Sequence, residues 1–418
     1  MSHSRQQPVC SAHAKPRQLL VLGSTGSIGV NTLDVAARHP DKFQVFGLVA
    51  GSNIARLREQ VLQFRPRCIV VCNAQAFQQW DAQGMTQALQ NEGVPPFEVL
   101  QQADLPAVCA LSEIDCVMAA IVGSAGLVPT LAAIQAGKTV FLANKESLVL
   151  AGRFMLQAAQ RSGACLMPVD SEHNAIYQCL PASFQAGEYQ AQGIRRLVLT
   201  ASGGPFNRMP LGELKSVTPE QAVAHPNWVM GKKISVDSAT MANKSLELFE
   251  AYWLFGCPAH SLDVLIHPQS IVHSMVEYLD GSVLAQMGMP DMRTPIAHVM
   301  GFPQRMESGS PRLDLTQLGA LEFEAPDLQR FPMLGLAFEA LKQPSVLAPV
   351  FNAANEEAVQ AFLAGKMGYL DIYRTVQNAM DSFAGATVQC LESAFALDAQ
   401  VRQHARTHLH AKGGASLC

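Results

Sequence analysis

Residues 18–29 read Gln18-Leu19-Leu20-Val21-Leu22-Gly23-Ser24-Thr25-Gly26-Ser27-Ile28-Gly29, a short apolar run that enters a glycine-spaced turn and continues as a helical pattern to about His39. A strand, a tight turn and a helix start in that order bring backbone N–H groups to the head of a helix. A pyrophosphate meets them there with no intervening side chain. The spacing is G-x-x-G-x-x-G rather than the commoner G-x-G-x-x-G, and taken alone it equally describes a plain strand-to-helix connection. The context decides. FQVFGLVA, a helix from about Asn53, RCIVVCN, CVMAAIVG and TVFLAN follow, so strands alternate with helices. Such alternation predicts right-handed βαβ crossovers and a parallel sheet. Residues 18–165 are therefore expected to form a doubly wound, Rossmann-like domain that binds a dinucleotide through Gly23, Thr25, Gly26, Ser27 and Ile28.

The pattern then changes. Residues 166–302 hold PVDSEHNAI, RRLVLTASGGPF, a helix from about Met241 to Phe255, and the strand-like runs DVLIHP, SIVHSMVEYLD and SVLAQMG. Short turns join the last three, which predicts a second α/β domain with a mixed sheet. Within it, residues 205–233 mix Gly, Pro, His225, Trp228 and Met230 and read as a mobile lid or, equally on these residues, as a surface loop. Residues 303–330 are polar and Pro/Gly-interrupted, as a linker is. From Phe331 to the C-terminus the periodicity is helical, predicting a small C-terminal helical bundle. Residues 1–17 are expected to be a disordered leader.

Composition limits the function classes. Of 418 residues, 49% are hydrophobic and 15% charged, which fits a globular chain with two or three cores and excludes a disordered one. The formal charge of −4 offers no basic excess, so neither nucleic acid nor a membrane surface is expected as a partner. The uncharged stretch from Cys116 to Gly137 is broken by Gly123, Ser124, Gly126 and Pro129 and reads as strand, turn and helix start. The ten cysteines include no Cys-x-x-Cys pair and read as free thiols in a reducing, cytoplasmic setting.

Chemistry concentrates in a few short motifs. An NAD site places an acid at the end of the second strand; here that region reads Gly51-Ser52-Asn53-Ile54-Ala55-Arg56. The acid that would repel a 2′-phosphate is missing, and Arg56 with Ser52 and Asn53 suits one, so NADP is expected over NAD. Arg56 also reads as an ordinary solvated helix residue. Asp170 and Glu172 are two apart at a strand end, so an extended chain would project both carboxylates from one face. Two like charges held close need a cation or a proton, and a third carboxylate would complete a site for Mg²⁺ or Mn²⁺; taken alone, an Asp-x-Glu is more often a solvated strand end. Ser238, Asn243 and Lys244 precede or open a helix on which Glu247 shares a face with Asn243. They suit a phosphate and a third ligand, or a capped amphipathic helix. Asn144-Lys145-Glu146 ends a strand, and Ser202-Gly203-Gly204 allows close backbone approach. His273 reads as a core histidine.

Taken together, GSTGSIG, LANKESLV, PVDSEHNAI, TASGGPF, AHPNWVMGKKISVDSATMANKSLE, IHPQSIVHSMVEY and PDMRTPIAH closely resemble the 1-deoxy-D-xylulose 5-phosphate reductoisomerase family from about Leu19 through the helical tail. The resemblance implies a homodimer dependent on NADPH and a divalent metal (Mg²⁺, Mn²⁺ or Co²⁺). Its substrate would be a sugar phosphate, converted into 2-C-methyl-D-erythritol 4-phosphate in non-mevalonate isoprenoid synthesis. It implies Asp170, Glu172 and Glu247 as metal ligands, Ser202, Ser238, Asn243 and Lys244 as the phosphate site, and Lys145 and Ser171 at the reacting end. His225, Trp228 and Met230 would lie in the lid. Gly231, Met292 and Asn144-Lys145-Glu146 would face the cofactor. Many members carry Lys where this chain has Ser52, which leaves Arg56 as the main basic residue for the 2′-phosphate. Two other readings compete: a non-isomerising NADP-dependent dehydrogenase, which typically needs a catalytic Cys or a metal-free acid–base pair, and a non-enzymatic NADP-binding sensor with merely exposed carboxylates.

Overall fold

Leu19–Leu22 have no solvent exposure, as a strand covered on both faces requires, and they occupy the centre of a seven-stranded parallel sheet. The computed structural model describes residues 3–4, 15–225 and 231–415. Across the sheet the strands run Glu98–Gln101, Cys68–Val71, Phe43–Ala50, Arg17–Leu22, Cys116–Ala119, Thr139–Leu142 and Cys165–Pro168. Strand order reverses at Arg17–Leu22, so the crevice where an open α/β sheet takes its ligand lies beside the turn that starts at Gly23. Helix Ser27–Arg38 packs tightly on that turn: a Cβ at Gly29 would lie 2.5 Å from the Ser24 Cα.

Two strands depart from the sequence reading. Glu98–Gln101, preceded by Pro95-Pro96, forms the half-exposed edge of the sheet and carries little apolar pattern. Cys165–Pro168 does not open the second domain; it pairs in parallel with Thr139–Leu142 and closes the first sheet. The Asp170–Glu172 segment thus leaves the carboxyl edge of the nucleotide-type sheet.

The second sheet is mixed, as expected. Leu262–Ile266 pairs in parallel with Ile194–Ala201, which pairs antiparallel with Val272–Tyr278, followed by the antiparallel outer strand Val283–Met287. Residues 303–330 contain one 3-10 turn, Leu315–Gln317, and a bridge from Glu324 to Ile266. Helices Pro332–Ala340, Pro344–Leu363, Tyr369–Phe383 and Leu391–Ala415 form the C-terminal bundle. His3–Ser4 pairs with Gln185–Ala186; the rest of the expected leader through Ala14 lies outside the described residues.

Helix Ala242–Phe255 ties these parts together. It packs against Lys145–Ser162, where Gly152 leaves room for the Trp253 ring, and against Pro332–Ala340. Because it is buried nearly all round, its charged residues Lys244, Glu247 and Glu250 must find partners inside the protein.

Candidate active site

The expected extended course through Asp170 and Glu172 is corrected by the structure. The strand ends at Pro168, and Asp170 becomes the N-cap of helix Ser171–Cys179, its Oδ1 accepting from the Ser171 N–H at 3.1 Å. Glu172 therefore sits in the first helical turn, where the helix dipole favours a carboxylate. Ser171 Oγ donates to Glu172 Oε2 at 2.6 Å. The convergence survives the change of backbone: one oxygen from each of Asp170, Glu172 and Glu247 lies within 4.8 Å of the others.

Glu247 reaches this point through a second unforeseen feature. Instead of one helix beginning near Met241, two helices, Lys232–Thr240 and Ala242–Phe255, meet at Met241, which is held left-handed at φ +65° and only 2% exposed. A non-glycine residue adopts that conformation only when its surroundings over-determine it. The break turns the end of one helix and the start of the next toward the same space, so Ser238, Asn243, Lys244 and Glu247 line one cavity. Gly203 and Gly204, at φ +80° and +64°, admit the TASGGPF loop beside it; a Cβ on Gly204 would stand 2.8 Å from the Ser238 carbonyl oxygen.

Two ammonium groups stand among the three carboxylates. Lys145 Nζ lies 2.6 Å from Asp170 Oδ2 and 3.0 Å from both Glu247 Oε1 and Asn243 Oδ1. Lys244 Nζ lies 2.7 Å from Glu172 Oε1 and also contacts Glu247 Oε2. Burial would lift the Glu172 carboxyl, but the ammonium groups of Lys244 and Lys145 outweigh it and hold that carboxyl well below its usual range. Glu247 goes the other way: burial and then the neighbouring Glu172 push it up to about 7, against the pull of the same two lysines. Burial disfavours charge on Lys145 as well, yet Asp170, Glu247 and Glu250 overcome it and raise its pKa. A buried cluster with more carboxylates than ammonium groups, all donors being oxygen, matches what a hard divalent cation requires.

The cavity holds about 470 Å³ and connects this cluster to the glycine turn. Ser27 and Ile28 line it at the end nearest the glycine turn, and Met292 and Gly231 also line it. Ser202, His225 and Ser171 line it as well, and His225 Nε2 is 2.9 Å from Ser202 Oγ. Burial lowers the His225 pKa, favouring the neutral ring. A smaller cavity of about 120 Å³ adjoins it, lined by Gly26, Asn144, Lys145 and Glu146. Asn144 also caps helix Lys145–Ser162 by accepting from the Ser147 N–H at 2.6 Å.

Other expected residues stand apart from both cavities. Gly23 and Thr25 lie in the turn itself. Gly51, Ser52, Asn53 and Arg56 are exposed at the end of the second strand. Asn53 caps the following helix, and Arg56 Nη1 pairs with Glu59 at 2.6 Å. Trp228 and Met230 lie outside the described residues. Residues outside the expected sets also join the site. Asn31 and His273 line the large cavity, so His273 is more than a core residue. His173 and Glu250, both fully buried, lie directly behind the carboxylates. The signal for Glu250 is its i+3 spacing from Glu247 on a helix that otherwise reads as apolar.

Comparison with known proteins agrees with this geometry. Residues 19–152 match the family model for 1-deoxy-D-xylulose 5-phosphate reductoisomerase, and residues 166–255 and 287–404 match C-terminal domains of the same enzyme. The chain is 54% identical over 389 residues to the 1-deoxy-D-xylulose 5-phosphate reductoisomerase of Laribacter hongkongensis, covering 93% of this chain and 98% of that protein. It is 52% identical to that of Ectopseudomonas mendocina, with 92% and 96% covered. A crystal structure of DOX-P reductoisomerase in complex with NADPH, fosmidomycin and magnesium superposes with a TM-score of 0.89 at 43% identity, covering 94% of this chain and 98% of that one. The Zymomonas mobilis enzyme in complex with NADPH superposes at 0.85 with 46% identity, covering 94% and 99%. This chain therefore belongs to the 1-deoxy-D-xylulose 5-phosphate reductoisomerase family.

Proposed function

We propose that the chain rearranges 1-deoxy-D-xylulose 5-phosphate by retro-aldol and aldol steps and reduces the resulting aldehyde to 2-C-methyl-D-erythritol 4-phosphate, using NADPH and a divalent cation. The observation that carries this reading is the meeting of Asp170, Glu172 and Glu247 within 4.8 Å, in a cavity that also reaches the glycine turn. Three oxygen donors of this kind fit Mg²⁺, Mn²⁺ or Co²⁺ better than a softer ion. A merely exposed set of carboxylates, as a sensor would carry, does not accord with a Glu247 that is 1% exposed.

When bound, the cation supplies Lewis-acid charge at the substrate's ketone end and NADPH supplies the hydride. The rest falls to the chain. Lys145 Nζ, fixed between Asp170 and Glu247, adds positive charge where an enediolate would develop, and Ser171 Oγ is placed to orient the same end. Ser202, Ser238, Asn243 and Lys244 take the phosphate, whose binding energy holds the reacting carbons in place. Gly23, Thr25, Gly26, Ser27 and Ile28 take the pyrophosphate, Ser52, Asn53 and Arg56 the 2′-phosphate, and Met292 the nicotinamide.

The same reading makes the protein a cytoplasmic homodimer. Among the described residues eight cysteines are all free, and no helix is long and apolar enough to cross a membrane. Leu279, Val283 and Leu284, each at least half exposed on the outer hairpin of the mixed sheet, offer an apolar strip for a second copy. The deciding experiment follows NADPH absorbance after addition of the ketose phosphate, with and without a chelator. Oxidation should need both the sugar phosphate and the cation; oxidation that continues in chelator, or none with every component present, would overturn the assignment.

A further inference from the structure

Helices Ser171–Cys179 and Ala242–Phe255 meet twice. The outer contact is the cluster of Asp170, Glu172 and Glu247. One helical turn deeper is an inner contact that the proposed chemistry does not use: His173, three residues after Asp170, faces Glu250, three residues after Glu247. Neither side chain has solvent exposure, and His173 Nδ1 lies 3.2 Å from Glu250 Oε2. The other ring nitrogen, Nε2, is 2.8 Å from the main-chain oxygen of Glu247. That oxygen only accepts, so Nε2 carries a hydrogen toward it and the other edge of the ring, Nδ1, is the one that faces Glu250. Among the described residues neither Glu250 oxygen nor His173 Nδ1 has a hydrogen-bond partner, so the 3.2 Å contact between them is the nearest polar approach each makes. Nδ1 also stands 4.0 Å from Asp170 Oδ2.

We propose that Glu250 is a positioning residue for the cation site: it fixes the His173 ring, and the ring in turn holds the Glu247 main chain in register with Asp170 and Glu172. Burying a carboxyl costs stability unless its contacts return something to the fold, and Glu250 lies with His173 and Asp170 within 4.8 Å, directly behind the outer cluster. Its effect is geometric. The ring bridges the two helices that deliver the three carboxylates, so losing its partner lets the ring turn and the Glu247 backbone drift from the other two oxygens. Residues behind ligands typically change metal affinity by 10–100-fold.

This inference rests on the ligand assignment proposed above, and the test separates the two. Binding of Mn²⁺ alone is measured by electron paramagnetic resonance of the free ion, without substrate, and NADPH binding by its fluorescence, on the full chain and on Glu250→Gln, Glu250→Leu, Glu250→Asp and Glu247→Gln. Glu250→Gln keeps length and a donor, so Mn²⁺ affinity should stay within about two-fold of the parent. Glu250→Leu keeps bulk without a donor and should weaken Mn²⁺ about 10-fold with NADPH affinity unchanged. Glu250→Asp is too short to reach the ring and should match the leucine variant; it carries the test if the leucine variant does not fold. Parental Mn²⁺ affinity in the leucine or aspartate variant, or an equal fall in NADPH affinity, overturns the positioning role. Parental Mn²⁺ affinity in Glu247→Gln instead overturns the ligand assignment itself.

Discussion

Replacing Asn355 by Ala tests whether the C-terminal bundle merely packs beside the site or holds part of it in place. Asn355, on helix Pro344–Leu363 and fully buried, donates from Nδ2 to Asp237 Oδ1 at 2.8 Å. Asp237 is 1% exposed, and its other oxygen meets Lys233 Nζ at 2.8 Å. Because Asp237 precedes Ser238, the bond pins the helix that carries a proposed phosphate residue. A hydrogen bond to a charged group contributes about 1.5–3 kcal/mol, and removing only the donor leaves a buried carboxylate partly unsatisfied. The small void adds to this, while loss of the unpaired Asn355 Oδ1 subtracts, so the net cost is about 2 kcal/mol. At about 2.1 cal/mol/K per residue, a chain of 418 residues loses about 1 °C of melting temperature per kcal/mol, so the fall should be about 2 °C. Circular dichroism melts and steady-state kinetics on the same preparation read both consequences: a lower Tm, and a KM for the ketose phosphate raised several-fold with NADPH affinity kept. A melting point within about a degree of the parent, or a KM that stays put while Tm falls, would refute the bracing argument. Tyr369→Phe, which removes the bond from Tyr369 Oη to the Ala239 carbonyl at 2.6 Å, should act in the same direction and more weakly.

Glu247→Gln should lower turnover and raise the cation concentration needed for half-maximal rate, with NADPH affinity intact; a metal titration superimposable on the parent's would count against its place among the ligands. Gly29→Ala sets a Cβ 2.5 Å from the Ser24 Cα, so the glycine turn must move, with a cost of about 1–3 kcal/mol and weaker NADPH binding. Fluorescence titration checks this, and an unchanged affinity argues that the turn's geometry is irrelevant to the cofactor. Burial lifts the Cys109 and Cys257 thiols to about 12, leaving a thiolate fraction at pH 8 of about 10⁻⁴. Native protein treated with a maleimide at that pH should therefore label at exposed Cys390 and spare these two until denaturant is added, as peptide mapping will report.

The first sheet was legible because its strands are bounded by glycine turns and filled with residues that only a doubly covered strand tolerates. Its two edges were not. Glu98–Gln101 has a half-exposed, mixed pattern that no period distinguishes from a loop. Cys165–Pro168 ends in proline and runs straight into the carboxylates, so its sequence points forward to the next domain while its hydrogen bonds point back. Within the site, residue types and spacing marked Asp170, Glu172 and Glu247 as candidates but equally allowed a solvated strand end and a capped helix; it was the family resemblance of the motifs that joined the three. The backbone that delivers them was hidden. Nothing in Thr240-Met241-Ala242 signals a left-handed residue, because the usual glycine or asparagine is absent and tertiary packing alone holds Met241 there. His173 and Glu250 were hidden for a different reason: each looks like an ordinary helix position, and their relation exists only where two helices cross.

The sequence expectation for Lys244 and its observed place are reconciled by charge balance. The expectation puts it on the substrate phosphate, whereas the structure sets its ammonium between Glu172 and Glu247. Three carboxylates gathered this closely repel one another, and two lysines are what offsets them here. A divalent cation on the same oxygens supplies that compensation at shorter range, so on the proposed assignment the need for the lysines at the carboxylates falls once it binds. Lys244 sits beside Asn243 on the wall of the shared cavity, and Lys145 stands against Asp170 and Glu247. Each is then free to offer its charge to the substrate, Lys244 to the phosphate and Lys145 to the ketone end. The cation and the sugar phosphate should consequently bind with positive coupling, each tightening the other by the same factor. Mn²⁺ affinity measured with and without a non-reacting ketose phosphate analogue tests this, and Lys244→Met should weaken the coupling, because it removes one of the two charges on which both ligands draw.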